Sequence, residues 1–166
     1  VMERVRLGDV VLLSGPGPIG LMCLKLLVAD GVRVIVAGTS ADAARREKAR
    51  EIGAHRVVNV DREDLAEIVR DETGGRGVDH VVEVGGAGTL EKSILSCAVG
   101  GHIAVIGVLS GIKSPVLVTP ILMGYLRLQG ILVGHRASFE ALNAFLDRHQ
   151  LHPVISHTFP MAQARE

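Results

Sequence analysis

Short aliphatic runs alternate along the chain with longer stretches in which apolar residues recur every three or four positions. The runs predict five β-strands, at Val10–Leu13, Val32–Ala37, Val57–Val60, His80–Val84 and His102–Val108. The stretches between them predict helices at Ile19–Ala29, Ala41–Ile52, Glu63–Glu72 and Thr89–Val99. Strands that alternate with helices at this spacing are typical of βαβ units, which build a parallel sheet with helices on both faces.

The pattern changes in the last part of the chain. Ser114–Gly134 contains two strand-like apolar pieces around a turn with Pro120 and Gly124. Ser138–His149 then predicts a helix for which the Ser138 side chain would be the N-cap. The chain ends in FPMAQARE, where the pattern indicates that another helix begins, and no element precedes the first strand. Both ends therefore look cut.

Composition supports one α/β domain over residues 1–166, with a core of Val, Ile, Leu and Ala. Hydrophobic residues make up 48% of the chain but aromatic residues only 2%. The 18 basic and 18 acidic residues cancel, and without a basic stripe the chain does not resemble a nucleic-acid-binding protein. No apolar run is long enough to span a bilayer, and no polybasic amphipathic helix suggests a membrane surface.

Cys23 and Cys97 both lie inside apolar helical patterns, which predicts core thiols rather than a disulfide framework. A reducing, cytoplasmic setting is the better expectation. His149, His152 and His157 are close in sequence but lack a fourth ligand for zinc, so exposed loop histidines explain them better than a metal site.

The stretch VVLLSGPGPIGLM places three glycines, Gly15, Gly17 and Gly20, between the first predicted strand and the first predicted helix. The spacing G-x-G-x-x-G is weak evidence alone, but here a strand precedes it, a helix follows and a second strand completes a βαβ unit. Gly15 would make the tight turn, Gly17 would let a pyrophosphate approach the backbone, and Gly20 would let the helix pack closely. The helix N-terminus, which contains Pro18 and Ile19, would hold the phosphates. Because Pro16 and Pro18 have no N–H, Gly17 and the other first residues of the helix would supply the N–H groups. The alternative is a strand-to-helix turn without a ligand.

The end of the second predicted strand bears on the choice of dinucleotide. NAD sites usually carry Asp or Glu there, about twenty residues after the glycines, whereas this strand ends at Gly38, Thr39 and Ser40. These small residues would leave room for a 2′-phosphate, with the two hydroxyl groups as donors and Arg45 or Arg46 as a source of positive charge. The sequence therefore favours NADP over NAD. Two alternatives remain open, a solvated role for the arginines and recruitment of Asp42 for NAD.

The sequence resembles the cofactor domain of the medium-chain dehydrogenase/reductase superfamily, which contains zinc-type alcohol dehydrogenases and quinone oxidoreductases. The resemblance is carried by GDVVLLSGPGPIGLMCLKLL, REKAREIGAHRVVN, GGRGVDHVVEVGG and GGHIAVIGVLSG, and is extended by LRLQGILVGHRASFEAL and LHPVISHTFPMAQA. It implies a Rossmann-type, doubly wound parallel sheet. It also implies that this chain is a fragment that lacks the family's GroES-like catalytic domain and its last strand.

The same resemblance implies roles for further residues. Val84 and Gly85 would line the cofactor near the adenine and the nicotinamide ribose, and the backbone of Ile106, Gly107 and Val108 would hold the nicotinamide carboxamide. The stretch from Val116 to Val133 would carry an edge strand that pairs with a second copy in a homodimer. Catalytic zinc, where the parent protein uses it, would be bound by the missing domain.

The resulting interpretation is the NAD(P)(H)-binding half of an oxidoreductase that moves a hydride between the nicotinamide and an alcohol, carbonyl or enone. We expect none of the residues here to act as a catalytic acid or base, because the cofactor carries the reaction and this half binds and orients it. The main alternative is a non-catalytic NADP(H)-binding redox-sensor module. A methyltransferase that binds S-adenosylmethionine is disfavoured by Gly38, since that class prefers an acidic residue after its second strand.

Overall fold

Six parallel strands form one sheet in this computed structural model, which describes residues 5–132 and 134–164. The strands are β1 (Val10–Ser14), β2 (Arg33–Gly38), β3 (Arg56–Asn59), β4 (Val78–Glu83), β5 (Cys97–Val105) and β6 (Arg127–Gly130). The helices are α1 (Pro18–Ala29), α2 (Ala43–Ile52), α3 (Leu65–Glu72), α4 (Leu90–Ser96), α5 (Val118–Met123) and α6 (Arg136–His149). Short 3₁₀ turns lie at Ser40–Asp42 and Met161–Gln163.

The strand order is β3-β2-β1-β4-β5-β6, so the direction of winding reverses between β1 and β4. These two strands pair in parallel, with Val11 opposite His80 and Ser14 opposite Glu83. The predicted Rossmann-type, doubly wound sheet is therefore confirmed. In an open sheet of this kind, ligands bind beyond the carboxyl ends of the strands at the point of reversal.

Both faces of the sheet are covered, and successive residues of each central strand supply opposite cores. Val10 and Leu12 of β1 belong to one cluster, which lies on the face of the sheet that α3 and α4 cover. Val11 and Leu13 belong to the other, which is closed by α1 and α2. Burial on both faces explains why the strands read as continuous aliphatic runs rather than as an alternating pattern. Each fully buried aliphatic side chain contributes about 1.5–3 kcal/mol.

The strand ends differ from those predicted. β4 ends at Glu83 and β5 at Val105, so Val84 and residues 106–108 lie in loops rather than in strands. The predicted helix Thr89–Val99 ends at Ser96, and its last three residues begin β5, where Cys97 pairs with Val78. Pairing with a neighbouring strand overrides the local helical pattern here.

The apolar segment after β5 also differs, since one of its two predicted strand pieces is the helix α5. Pro120 lies in the first turn of α5, where a missing N–H costs little, and Ile121 turns toward the core. The helix α6 begins at Arg136, and the cap is His135, whose Nδ1 accepts a hydrogen bond of 3.3 Å from the Ser138 N–H. Ser138 is therefore inside the helix and is not its N-cap.

The two cysteines are free thiols that pack against the two cores, as predicted. Burial raises the pKa of the Cys97 thiol to about 12, and it raises the pKa of Cys23 as well. Both groups are therefore protonated core side chains at neutral pH.

None of the helices within the described ranges is long and apolar enough to cross a membrane.

Candidate functional site

A cleft of about 500 Å³ opens at the carboxyl ends of β1, β2 and β4, at the point where the strand order reverses. Most of the predicted binding residues line it: Gly15, Gly17, Pro18, Ile19, Gly20, Gly38, Thr39, Arg45, Val84 and Gly85. The topology therefore brings together residues that are separated by as much as half of the chain. Concave, mostly apolar clefts with a few polar groups are where proteins bind small molecules.

Four predicted residues do not line the cleft. Ser40 points toward β3, where its N–H donates to Asp61 Oδ2 at 2.7 Å and its hydroxyl lies 3.2 Å from the Asn59 amide nitrogen. Ile106, Gly107 and Val108 form the loop after β5. The amides of Ile106 and Gly107 both donate to the Glu83 carbonyl, at 2.8 and 3.3 Å, so these two N–H groups are already used within the protein.

The glycine-rich turn between β1 and α1 uses its three glycines for different purposes. Gly15 has φ +134°, a conformation that other residues rarely adopt. A Cβ on Gly20 would lie 1.9 Å from the Gly15 carbonyl oxygen, so the helix can approach the turn only because residue 20 has no side chain. Gly17 has extended backbone, and within the described residues no atom other than those of its chain neighbours lies within 4 Å of its Cβ position. The fold therefore requires Gly15 and Gly20, whereas Gly17 leaves open space beside the helix end.

The start of α1 presents unsatisfied amides to that open space. Gly17 is the N-cap without a side-chain cap, and Pro18 occupies the first helical position. The first intrahelical hydrogen bond runs from Leu21 N–H to Gly17 C=O at 2.8 Å, which leaves the amides of Ile19 and Gly20 without an intrahelical acceptor. Together with the positive end of the helix dipole, these amides suit an anion such as a pyrophosphate.

The end of β2 is packed more tightly than the sequence interpretation expects. A Cβ on Gly38 would lie 2.9 Å from Pro16 Cγ and 3.1 Å from Arg46 Cγ. The space beside Gly38 is therefore filled by protein and is not reserved for a phosphate. Any room for a 2′-phosphate lies further out, beside Thr39 and Arg45, both of which line the cleft.

Asp42 engages both of those residues. Its Oδ2 accepts hydrogen bonds from the Thr39 N–H at 3.0 Å and the Thr39 hydroxyl at 2.7 Å, and its Oδ1 accepts one from Arg45 at 3.2 Å. Burial raises the pKa of the Asp42 carboxyl, but the Thr39 hydrogen bonds and the Arg45 guanidinium outweigh it and hold the pKa below its ordinary value. The Thr39 donors predicted to face a phosphate are thus already used to cap the 3₁₀ turn.

Sequence reasoning missed other polar residues of the cleft, notably Asp61, Thr89, Lys92 and Ser110. Hydrogen bonds from Ser40 lower the pKa of the Asp61 carboxyl, and the charges of Lys92 and Arg46 lower it further. Asp61 directly follows a predicted strand. Its position at the carboxyl end of that strand is the sequence signal that could have identified it as a cleft residue. Lys92 has no such signal, since it lies inside an amphipathic helix.

No group of three or more His, Cys, Asp or Glu side chains that could hold a metal ion lies within residues 5–132 and 134–164. The chemistry that this part of the chain offers is therefore that of amides, two carboxylates and two cationic side chains around an apolar cleft.

The known proteins that this chain resembles include dehydrogenases and reductases. Residues 18–148 match the family model of zinc-binding dehydrogenases. A zinc-type alcohol dehydrogenase-like protein of Schizosaccharomyces pombe is 32% identical over 99% of this chain and 48% of its own length. A 2-haloacrylate reductase of a Burkholderia species is 32% identical over 98% of this chain and 51% of its own. The chain thus spans about half the length of these relatives.

Solved structures give the same result. The alcohol dehydrogenase TADH from a Thermus species superposes with a TM-score of 0.84 at 29% identity, over 94% of this chain and 46% of that one. A mycobacterial protein complexed with NADPH superposes with a TM-score of 0.75 at 28% identity, over 97% of this chain and 53% of that one.

Because the glycines of the turn have different structural roles, their substitution is expected to change the free energy of unfolding by different amounts. Gly20→Ala places a methyl group against the Gly15 carbonyl oxygen and is expected to reduce the free energy of unfolding by about 1–3 kcal/mol, as other overpacking substitutions do. Gly17→Ala is the matched control, because no described atom beyond the chain neighbours lies within 4 Å of the added methyl group. It is expected to change the free energy of unfolding by less than about 0.5 kcal/mol or to raise it slightly. Urea unfolding followed by circular dichroism measures both. Equal stability of the two variants would contradict the packing role of Gly20.

Proposed function

The chain belongs to the zinc-binding dehydrogenase family, and from that membership we propose that it is the NAD(P)(H)-binding half of an oxidoreductase. The complete protein would transfer a hydride between the nicotinamide and an alcohol, carbonyl or enone. The observation that carries this proposal is the glycine turn, where unsatisfied helix amides face the open space at Gly17. A side chain is excluded at Gly20 by packing, whereas no described atom beyond the chain neighbours lies within 4 Å of a Cβ at Gly17.

Each part of the cleft has a counterpart in a dinucleotide. The turn from Gly15 to Gly20 would hold the pyrophosphate on the helix N-terminus, and Thr39 and Arg45 would lie beside the adenosine ribose. Val84 and Gly85 would line the middle of the cofactor, and the Ile106–Val108 backbone would meet the carboxamide. The bound nicotinamide supplies the hydride chemistry. The residues of this chain bind the cofactor, orient it and present one face of its ring.

A preference for NADP over NAD is part of the proposal. β2 ends without a carboxylate that could take a ribose diol, and the Arg45 guanidinium stands on the cleft wall. Asp42 is the group that would instead favour NAD, but both of its oxygens are already bound, by Thr39 and Arg45. The Asp42–Arg45 pair is exposed on the arginine side, and exposed pairs of this kind contribute little. Arg45 can therefore turn to a phosphate at small cost.

The proposal extends to the parent protein and its setting. Zinc, where the parent uses it, would be held by residues outside the described part of this chain. The substrate would be chosen largely by the other half of the parent. A cytoplasmic location fits the two free, partly buried thiols.

We also propose that the chain forms a homodimer through the region from Val116 to Val133, of which Val133 lies outside the described residues. β6 pairs with β5 on one side and is an edge of the sheet on the other. All four of its residues are exposed, and the neighbouring Tyr125 and Leu132 are 78% and 88% exposed. A second copy paired along this edge would cover a strand that otherwise invites aggregation.

Parallel titrations with NADPH and NADH test the nucleotide preference, with reduced-nicotinamide fluorescence as the readout. We expect NADPH to bind at least about tenfold more tightly, because a charge-assisted hydrogen bond to a phosphate contributes roughly 1.5–3 kcal/mol. Arg45→Ala should remove most of that preference. Arg50→Ala, on the same helix but paired with Glu47, is the matched control and should keep it.

Tighter binding of NADH would contradict the NADP preference while leaving the dinucleotide assignment intact. Binding of neither nucleotide by a folded chain, with circular dichroism as the check on folding, would contradict the proposed function itself.

The dimer is tested by sedimentation equilibrium. Leu132→Lys places a charge on the exposed edge and should shift the chain toward monomer, whereas Ile112→Lys, at an equally exposed position outside the edge region, should not. A wild-type chain that sediments as a monomer at all concentrations would contradict the proposed interface.

A further inference from the structure

Glu83, the last residue of β4, is a fully buried carboxylate at the base of the cleft wall. Its Oε1 accepts hydrogen bonds from the Gly85 N–H at 2.7 Å, the Gly86 N–H at 3.0 Å and the Thr89 hydroxyl at 2.5 Å. Its Oε2 accepts one from the Ser93 hydroxyl. Burial of a carboxylate is costly unless hydrogen-bond donors surround it. The donors around Glu83 offset this cost.

The donors to Glu83 belong to the loop between β4 and α4, which forms one wall of the cleft. Gly85 and Thr89 both line the cleft, whereas Glu83 itself does not. A Cβ on Gly85 would lie 2.2 Å from Thr89 Oγ1, so the loop is also closely packed on itself. The side chain of Glu83 thus fixes cleft residues from behind.

Gly85 is held from both sides, and this connects Glu83 to a second loop. Its N–H donates to Glu83, and its carbonyl accepts hydrogen bonds from both the N–H and the hydroxyl of Ser110, each at 2.7 Å. The Ser110 hydroxyl in turn accepts the Gly88 N–H at 2.8 Å. Ser110 lies in the loop after β5, and it too lines the cleft.

The two loops pack closely against each other. A Cβ on Gly86 would lie 2.7 Å from Val108 Cα, and one on Gly107 would lie 2.3 Å from the Val84 carbonyl oxygen. A change in the backbone at Gly85 and Gly86 would therefore move the loop after β5 as well. The loop after β5 contains Ile106–Val108, the residues proposed to hold the nicotinamide carboxamide.

We infer that Glu83 is a positioning residue, whose buried carboxylate sets both loops on the β4 and β5 side of the cleft at the separation that a dinucleotide requires. This inference rests on the proposed function, since it concerns the same cleft. Glu83 does not line the cleft and would not contact the cofactor. It acts through the Gly85 and Gly86 amides.

The hydrogen-bond pattern predicts how substitutions behave. Glu83→Gln keeps an oxygen for the two glycine amides and Thr89, and its amide group can donate to Ser93, so NADPH affinity should stay within about threefold of wild type. Glu83→Leu leaves two buried amides without an acceptor, so the loops must rearrange and NADPH affinity should fall more than about tenfold. Ile94→Ala truncates a core side chain of α4, the helix that also contains Ser93. It is a control for loss of stability and should keep wild-type affinity.

The experiment is a titration of the four proteins with NADPH by fluorescence, at a temperature where circular dichroism shows each to be folded. At saturation, the emission of the bound nicotinamide should differ from wild type in Glu83→Leu but not in Glu83→Gln or Ile94→Ala. Wild-type affinity in Glu83→Leu would overturn the inference, as would equal losses in Glu83→Leu and Ile94→Ala. An equal loss in Glu83→Gln would overturn the hydrogen-bond account.

A wild-type chain that binds no NADPH would instead count against the proposed function, so the two failures are distinguishable. If Glu83→Leu does not fold, Glu83→Asp decides. This substitution keeps the carboxylate but withdraws it by one methylene group, so it should weaken NADPH binding. Wild-type affinity in Glu83→Asp would overturn the inference.

Discussion

The close approach of α1 to the β1–α1 turn is the constraint on which the site depends. The helix can start where it does only because residue 20 lacks a side chain that would meet the Gly15 carbonyl oxygen at 1.9 Å. This contact fixes the direction of the helix and so aims its unsatisfied amides into the cleft. Pro18 and the N-cap at Gly17 then determine which amides remain free. The capacity to hold an anion thus follows from packing, not from a charged side chain.

The sheet explains why this contact lies beside the other cleft residues. Reversal of the strand order between β1 and β4 separates the loops that follow these strands and opens the space between them. The two aliphatic cores hold the strands rigidly, whereas the polar groups collect at the carboxyl ends. On the β2 side a helix cap organises Thr39, Asp42 and Arg45, and on the β4 side a buried carboxylate organises the loops. Opposite walls of the cleft are therefore fixed by different carboxylates.

Much of this arrangement could be predicted from the sequence. The alternation of aliphatic runs and amphipathic stretches gives the doubly wound sheet, and the glycine spacing after the first strand locates the turn. The sequence pattern of β1 and β2, a continuous aliphatic run, is unambiguous. The region of α5 is not, because a short apolar run fits a strand and a buried helical turn equally well. There the structure has Val118–Met123 as a helix.

Other features depend on contacts that no local pattern records. Glu83 reads as a polar residue at a strand end, and only the folded loops supply the four donors that allow its burial. The small size of Gly38 suggested room for a phosphate, whereas Pro16 and Arg46 fill the space beside it. Asp61 and Lys92 line the same cleft from different elements. These are properties of tertiary packing, so they become visible only in the structure.

The central claim is that the open space at Gly17 receives the pyrophosphate of a dinucleotide. The most direct measurement is a titration of Gly17→Val with NADPH beside the wild-type chain. Gly17 has extended backbone, φ −70° and ψ −176°, and no described atom beyond its chain neighbours lies within 4 Å of its Cβ position, so the backbone and the space both accept a β-carbon there. We expect a folded variant that has lost NADPH binding by more than about a hundredfold, because the new methyl groups would occupy the phosphate position and block the helix amides. A folded Gly17→Val protein that binds NADPH as tightly as wild type would contradict it.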